Sequence, residues 1–119
     1  MIGAIIGDIV GSRFEFGAAP KEGFDLFTED CSYTDDTICT IAIADAILNG
    51  RDYQDSLLDW CKRYPDPMGG YGTWFDEWLH AEHPQPMNSY GNGSAMRVSS
   101  IGWLFDEWED VIEEAAKSL

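Results

Sequence analysis

From Thr34 to Leu48 a Thr and two Asp lead into Ile38, Ile41, Ala42, Ile43, Ala44, Ala46, Ile47 and Leu48, and Asn49-Gly50 follows. A hydroxyl and two carboxylates suit the first turn of a helix, and Asn-Gly suits its end. Apolar residues lie nearly all round this predicted helix, which places it in the middle of a bundle rather than on its outside. A further helix is predicted from a cap at Asp52 through Leu57, Leu58 and Cys61 until Tyr64-Pro65 stops it. A shorter one from Thr73 carries Trp74, Phe75, Trp78 and Leu79, and residues 94–104 read as another. The last segment presents Trp108, Val111, Ile112, Ala115 and Leu119 at helical spacing, an apolar stripe that needs a partner.

Glycines at 3, 7 and 11 punctuate the apolar stretch from Ile2 to Val10. Their four-residue spacing puts them on one helical face where another backbone can approach, so a buried first helix is expected. Glycine lowers helix propensity, which makes a strand the competing reading. Residues 16–33 lack periodicity and read as a surface loop; Pro65 to Gly72 is a turn-rich connector, and residues 81–93 form a second loop. No internal repeat, low-complexity tract or linker divides the chain, so residues 1–119 read as a single domain.

Composition narrows the function classes. With 119 residues, 45% of them hydrophobic and 13% aromatic, the chain has the makings of a folded core. Its net charge of −15 argues against a nucleic-acid partner, whose phosphates would be repelled, and favours basic partners or divalent cations. The scattered carboxylates from Asp106 to Glu114 are ordinary solvated charge. Cys31, Cys39 and Cys61 show no zinc-ligand spacing, which points to reduced, mostly buried thiols in a cytoplasmic protein. The apolar start lacks a basic leader and acquires Asp8, so it reads as neither signal peptide nor membrane span.

Three groups of residues carry candidate chemistry. In Thr34-Asp35-Asp36-Thr37, adjacent carboxylates flanked by hydroxyls offer hard oxygen donors of the kind that hold magnesium or calcium. The same residues would also serve as an ordinary cap and dipole partner in any helix. Carboxylates leading into an all-apolar helix, however, need a cation or donors more than solvated ones do. Ser89-Tyr90-Gly91-Asn92-Gly93-Ser94-Ala95-Met96-Arg97 is a glycine-rich loop feeding a helix, suited to point successive N–H groups at a phosphate or diphosphate. Its competing reading is an Asn-Gly hairpin turn, which lacks the alternating strands a hairpin needs. Glu15, after Gly11-Ser12-Arg13-Phe14, would bind metal or take a proton if brought near the others, and is otherwise a solvated neighbour of Arg13. His80 and His83 fit a surface helix end better than a metal site, and the five tryptophans fit the core, with one near the glycine loop suited to stack on a base.

Gly3 to Glu15, Tyr33 to Thr37 and Asn88 to Arg97, in that order, closely resemble the ADP-ribosylglycohydrolase family. The resemblance spans residues 2 to about 104, and Tyr64-Pro65 with Gly70-Tyr71-Gly72 resembles the family's connector. It implies an all-α bundle with a site for two magnesium ions, replaceable by manganese, that hydrolyses the bond joining ADP-ribose to a protein side chain or other acceptor. By position it makes Thr34, Asp35 and Asp36 metal ligands and Glu15 a catalytic group at the metal or its water. It makes Ser89, Tyr90, Gly91, Asn92, Gly93 and Ser94 the ADP-ribose-binding loop, and leaves Asp8 outside the ligand set. Family members are typically more than twice this length and add a second acidic cluster that has no counterpart after Arg97, so the chain resembles an N-terminal, truncated portion. Two other readings follow from that departure: an ADP-ribose-binding module without turnover, and an acidic interaction scaffold. Incomplete packing would leave the faces of the Thr34 helix and the last helix uncovered, which predicts a homo-oligomer or a missing companion segment.

Overall fold

The computed structural model describes residues 1–87 and 89–118, so Asn88 and Leu119, parts of the expected loop and final stripe, lie outside the described residues. The described residues form helices joined by loops, without a strand. Helix α1 spans Ile2–Gly11 and runs into a 3-10 turn over Ser12–Phe14; α2 spans Asp35–Asn49, α3 Tyr53–Arg63 and α4 Thr73–His80. Then come α5, Gly93–Arg97, a second 3-10 turn over Val98–Ser100, α6, Ile101–Leu104, and α7, Trp108–Lys117.

Helix α2 is the centre, as its apolar sequence predicts. The Thr34 hydroxyl caps it by accepting from the Asp36 N–H at 3.2 Å. It ends where Gly50, at φ +62°, turns the chain so that the Arg51 N–H reaches the Ala46 carbonyl at 2.8 Å. Ile38, Cys39, Ala42 and Ile43 of α2 form the buried core with Leu57 and Cys61 of α3, Leu79 of α4 and Ile101 of α6. A buried Ser56 hydroxyl donates to the Ala42 carbonyl at 2.7 Å and locks α3 onto α2. The Asp52 carboxylate caps α3 through the Asp55 N–H, and α4 starts at Thr73, both as expected.

Several expectations are corrected. Helix α1 is a helix, not a strand, but has no buried residue; Ile2 and Ile6 are 70% and 46% exposed. Gly3, Gly7 and Gly11 do share a face, and a Cβ added at any of them would meet open space. The small-residue stripe is therefore available to a neighbouring backbone but has none within the described chain. Helix α2, conversely, is largely covered, with Leu48 near its end left exposed, while α7 leaves Trp108 and Ile112 uncovered. Trp74, Trp103 and Trp108 are exposed rather than in the core. Residues 94–104 are not one helix: the poor helix formers Val98, Ser99 and Ser100 coincide with a tightened turn that carries Ile101 into the core. Cys39 and Cys61 are buried free thiols, whereas Cys31 is half-buried in the 16–33 loop. That loop is held by Arg13, which donates to the Thr28 hydroxyl at 2.6 Å and to the Asp25 carbonyl while its guanidinium lies over the Phe14 ring.

Candidate functional site

Four carboxylates approach one another where α1 meets the start of α2. Asp8, halfway along α1, accepts from the Thr34 N–H at 2.9 Å, the Thr34 hydroxyl at 2.6 Å and the Thr37 hydroxyl at 2.5 Å. Those bonds fasten α1 to the α2 N-terminus, although 26 to 29 residues separate the partners in sequence. Asp35 and Asp36 follow the cap directly. Burial, then the negative charges of Asp36, Glu15 and Asp8, push the Asp35 carboxyl up from its ordinary value of 3.8 to about 6. Burial and the charge of Asp8 also raise Asp36.

Glu15 is exposed and stands at the end of the 3-10 turn that follows α1. The connector lies against it. The Met68 N–H donates to the Tyr33 carbonyl at 3.1 Å, which ties the connector to the segment entering the Thr34 cap. Gly69, at φ +83°, would bring a Cβ to 3.0 Å from Glu15 Oε2. Glycine at 69 thus permits both the left-handed backbone and the close approach of the carboxylate.

The glycine loop forms one wall of a cavity of about 770 Å³. Ser89, Tyr90, Gly91, Asn92, Gly93 and Ser94 all line it, and so does Asp35. Within the loop the Ser89 hydroxyl accepts from the Gly91 N–H at 3.1 Å, and the Asn92 carbonyl accepts the first helical N–H groups of Ala95 and Met96. Because α5 has five residues, its dipole is weaker than the longer expected helix would supply. Tyr90 is 99% exposed, and its ring centroid lies 6.4 Å from that of Trp74, which also lines the cavity. Arg97 is buried in the same lining, and its Nε donates to the Ser118 carbonyl at 3.1 Å, joining α5 to the end of α7.

Asp35 is thus the residue common to the carboxylate group and the cavity. Glu15, Thr34 and Asp36 do not line the cavity themselves; Thr34 and Asp36 are the chain neighbours of Asp35, and the charges of Asp36 and Glu15 act on it. The donor set is entirely hard oxygen, and the charge crowding that lifts Asp35 is the kind a divalent cation relieves, so the donors fit magnesium or manganese in chemical type. Among the described residues, no group of three or more His, Cys, Asp and Glu side chains is arranged to hold a metal ion by itself. Thr34, Asp35, Asp36 and Glu15 would accordingly supply part of a coordination sphere, with water or ligand oxygens supplying more.

Sequence reasoning missed the structural part played by Asp8 and Gly69. A carboxylate in the middle of an otherwise apolar helix was the available signal for Asp8, because such a group requires donors. Nothing local distinguishes Gly69 from Gly70; its contact with Glu15 is made across more than fifty residues of chain.

Comparison with known proteins gives the class. The model of the ADP-ribosylglycohydrolase family matches residues 1–119, and the chain belongs to that family. It is 28% identical over 148 aligned residues to ADP-ribosylhydrolase ARH3 of Xenopus tropicalis, covering 99% of this chain and 42% of the relative. With ADP-ribosylhydrolase ARH3 of Gallus gallus the identity is 27% over 150 aligned residues, covering 93% and 40% respectively. The chain therefore spans about two fifths of the length of these curated relatives. No solved structure gives a significant match. No helix among the described residues is long and apolar enough to cross a membrane.

Proposed function

We propose that this chain binds ADP-ribose in the cavity beneath the 89–94 loop and takes part in magnesium-dependent hydrolysis of the glycosidic bond linking ADP-ribose to a protein side chain or another acceptor. The observation that carries the reading is the place of Asp35, which faces the cavity beside the loop and belongs to the carboxylate group. Backbone N–H groups from Asn92 to Ser94 suit the diphosphate. Tyr90 and Trp74 offer flat faces for a base.

Thr34, Asp35 and Asp36 are the residues that would hold magnesium, or manganese in its place. The ion, when bound, supplies positive charge that orients ribose hydroxyls and makes water easier to deprotonate. Glu15 accepts the proton of the attacking water. The water oxygen bonds to the anomeric carbon as the bond to the acceptor breaks; the acceptor leaves with that bond's electron pair and takes a proton from solvent, to which Glu15 returns the proton it accepted. The site is expected to work in the cytoplasm, and a second copy or further chain is expected to complete the carboxylate set and cover α1.

Release of ADP-ribose from an ADP-ribosylated protein, with magnesium and with EDTA, tests this reading. Glu15→Gln should lower turnover by about 10²-fold or more with ADP-ribose binding kept. Unchanged turnover in that variant removes Glu15 from the mechanism. A second reading, an ADP-ribose-binding module without turnover, is favoured by the absence among the described residues of a carboxylate group sufficient for a metal. Binding without release under any divalent cation would select it.

A further inference from the structure

Asp8 takes three donors on its two carboxylate oxygens: the Thr34 N–H and the Thr37 hydroxyl on Oδ2, and the Thr34 hydroxyl on Oδ1. Thr34 and Thr37 are 4% and 6% exposed, so these protons have no competing water. An ionised carboxylate is an acceptor and nothing else, which fixes the direction of every bond. The single hydroxyl proton of Thr34 is therefore committed to Asp8. Thr34 Oγ1 accepts from the Asp36 N–H at 3.2 Å and keeps a further lone pair. Asp35 and Asp36 follow Thr34 directly in the chain, and a Thr34 hydroxyl released from Asp8 would be free to turn its proton elsewhere.

We propose that Asp8 is a positioning residue: by taking the hydroxyl proton of Thr34, it fixes Thr34 Oγ1 as an acceptor toward the Asp35–Asp36 pair, and it acts through Thr34 without touching the ligand. This rests on the reading of Thr34, Asp35 and Asp36 as cation donors. A purely structural alternative exists, because the same three bonds fasten a helix with no buried residue to the core. The two roles separate on Thr37, whose bond to Asp8 contributes to fastening but not to the orientation of Thr34.

The test uses the 119-residue chain with Mn²⁺ as probe, its affinity followed by water-proton relaxation, beside thermal unfolding in EDTA. Asp8→Asn should weaken Mn²⁺ binding by about 10-fold or more, the usual effect of losing a group that orients a metal ligand. Thr34→Val should match it. Thr37→Val should lower the melting temperature yet leave Mn²⁺ affinity within about 3-fold of wild type, and Thr34→Ser should retain it, the hydroxyl being kept. Equal affinities for Asp8→Asn and wild type, or equal losses in Asp8→Asn and Thr37→Val, would overturn the positioning role. Should Asp8→Asn fail to fold, proton NMR of the wild type decides: a slowly exchanging Thr34 hydroxyl proton that shifts and persists on Mg²⁺ addition is expected, and its absence or loss overturns the proposal. Wild-type protein that binds no Mn²⁺ overturns the functional reading and this inference with it, whereas Mn²⁺ binding that ignores Asp8→Asn overturns the inference alone.

Discussion

Replacing Asp35 by Asn should make the protein more stable at neutral pH in the absence of divalent cations. Burial and the charges of Asp36, Glu15 and Asp8 raise the Asp35 carboxyl from 3.8 to about 6, so the folded protein holds that proton more tightly than the unfolded chain does. The contribution from this group is complete below the unfolded value and is lost as pH rises through the folded one. At about 1.36 kcal/mol per pH unit, that loss has a ceiling of about 3 kcal/mol. Asp35 is half-buried, and solvent screening reduces the figure to about 1–2 kcal/mol. Asn removes the charge at nearly constant shape. Urea unfolding in EDTA at pH 7.5 should show Asp35→Asn more stable by that amount, or about 3–8 °C higher in Tm. The advantage should shrink toward zero by pH 4, where Asp35 is protonated in wild type too. A variant equally stable or less stable at pH 7.5, or an advantage that does not change with pH, would refute the electrostatic account. The stabilised variant should also lack the increase in Tm expected of wild type on addition of Mg²⁺.

Other substitutions probe separate parts of the structure. Gly69→Ala forces an L residue to φ +83° and pushes a methyl toward Glu15 Oε2, so chemical denaturation should show a loss of about 1–2 kcal/mol. Ile43→Ala removes a fully buried side chain from the centre of the core and should cost about 3 kcal/mol in the same experiment. Added Mg²⁺ should raise the wild-type Tm more at pH 7.5 than at pH 5, because at the lower pH the ion must first displace the Asp35 proton.

The central helix was readable before any coordinates because Thr34, the two following carboxylates and Gly50 mark its ends chemically, and its all-round apolar surface fixes its place. The residues of the candidate site were legible as donor types, but a Thr-Asp-Asp start would cap any helix, and it was the ordered resemblance of three segments that singled out Asp35 and the 89–94 loop. What local pattern did not contain was the surroundings of each element. Burial of α1 was expected from its composition, yet whether an apolar helix is covered depends on which other segments reach it, and none of the described ones does so fully. The break at Val98–Ser100 likewise depends on where Ile101 must sit in the core. Asp8 was visible as a polar residue out of place, but its three donors come from another helix, and only the fold brings them within reach.

Calorimetric titration of the 119-residue chain with ADP-ribose, in magnesium and again in EDTA, tests the central claim most directly. Saturable binding in magnesium that weakens markedly in EDTA is the result expected of a cavity bounded by Asp35 and the 89–94 loop. Absence of binding in both buffers would contradict the account.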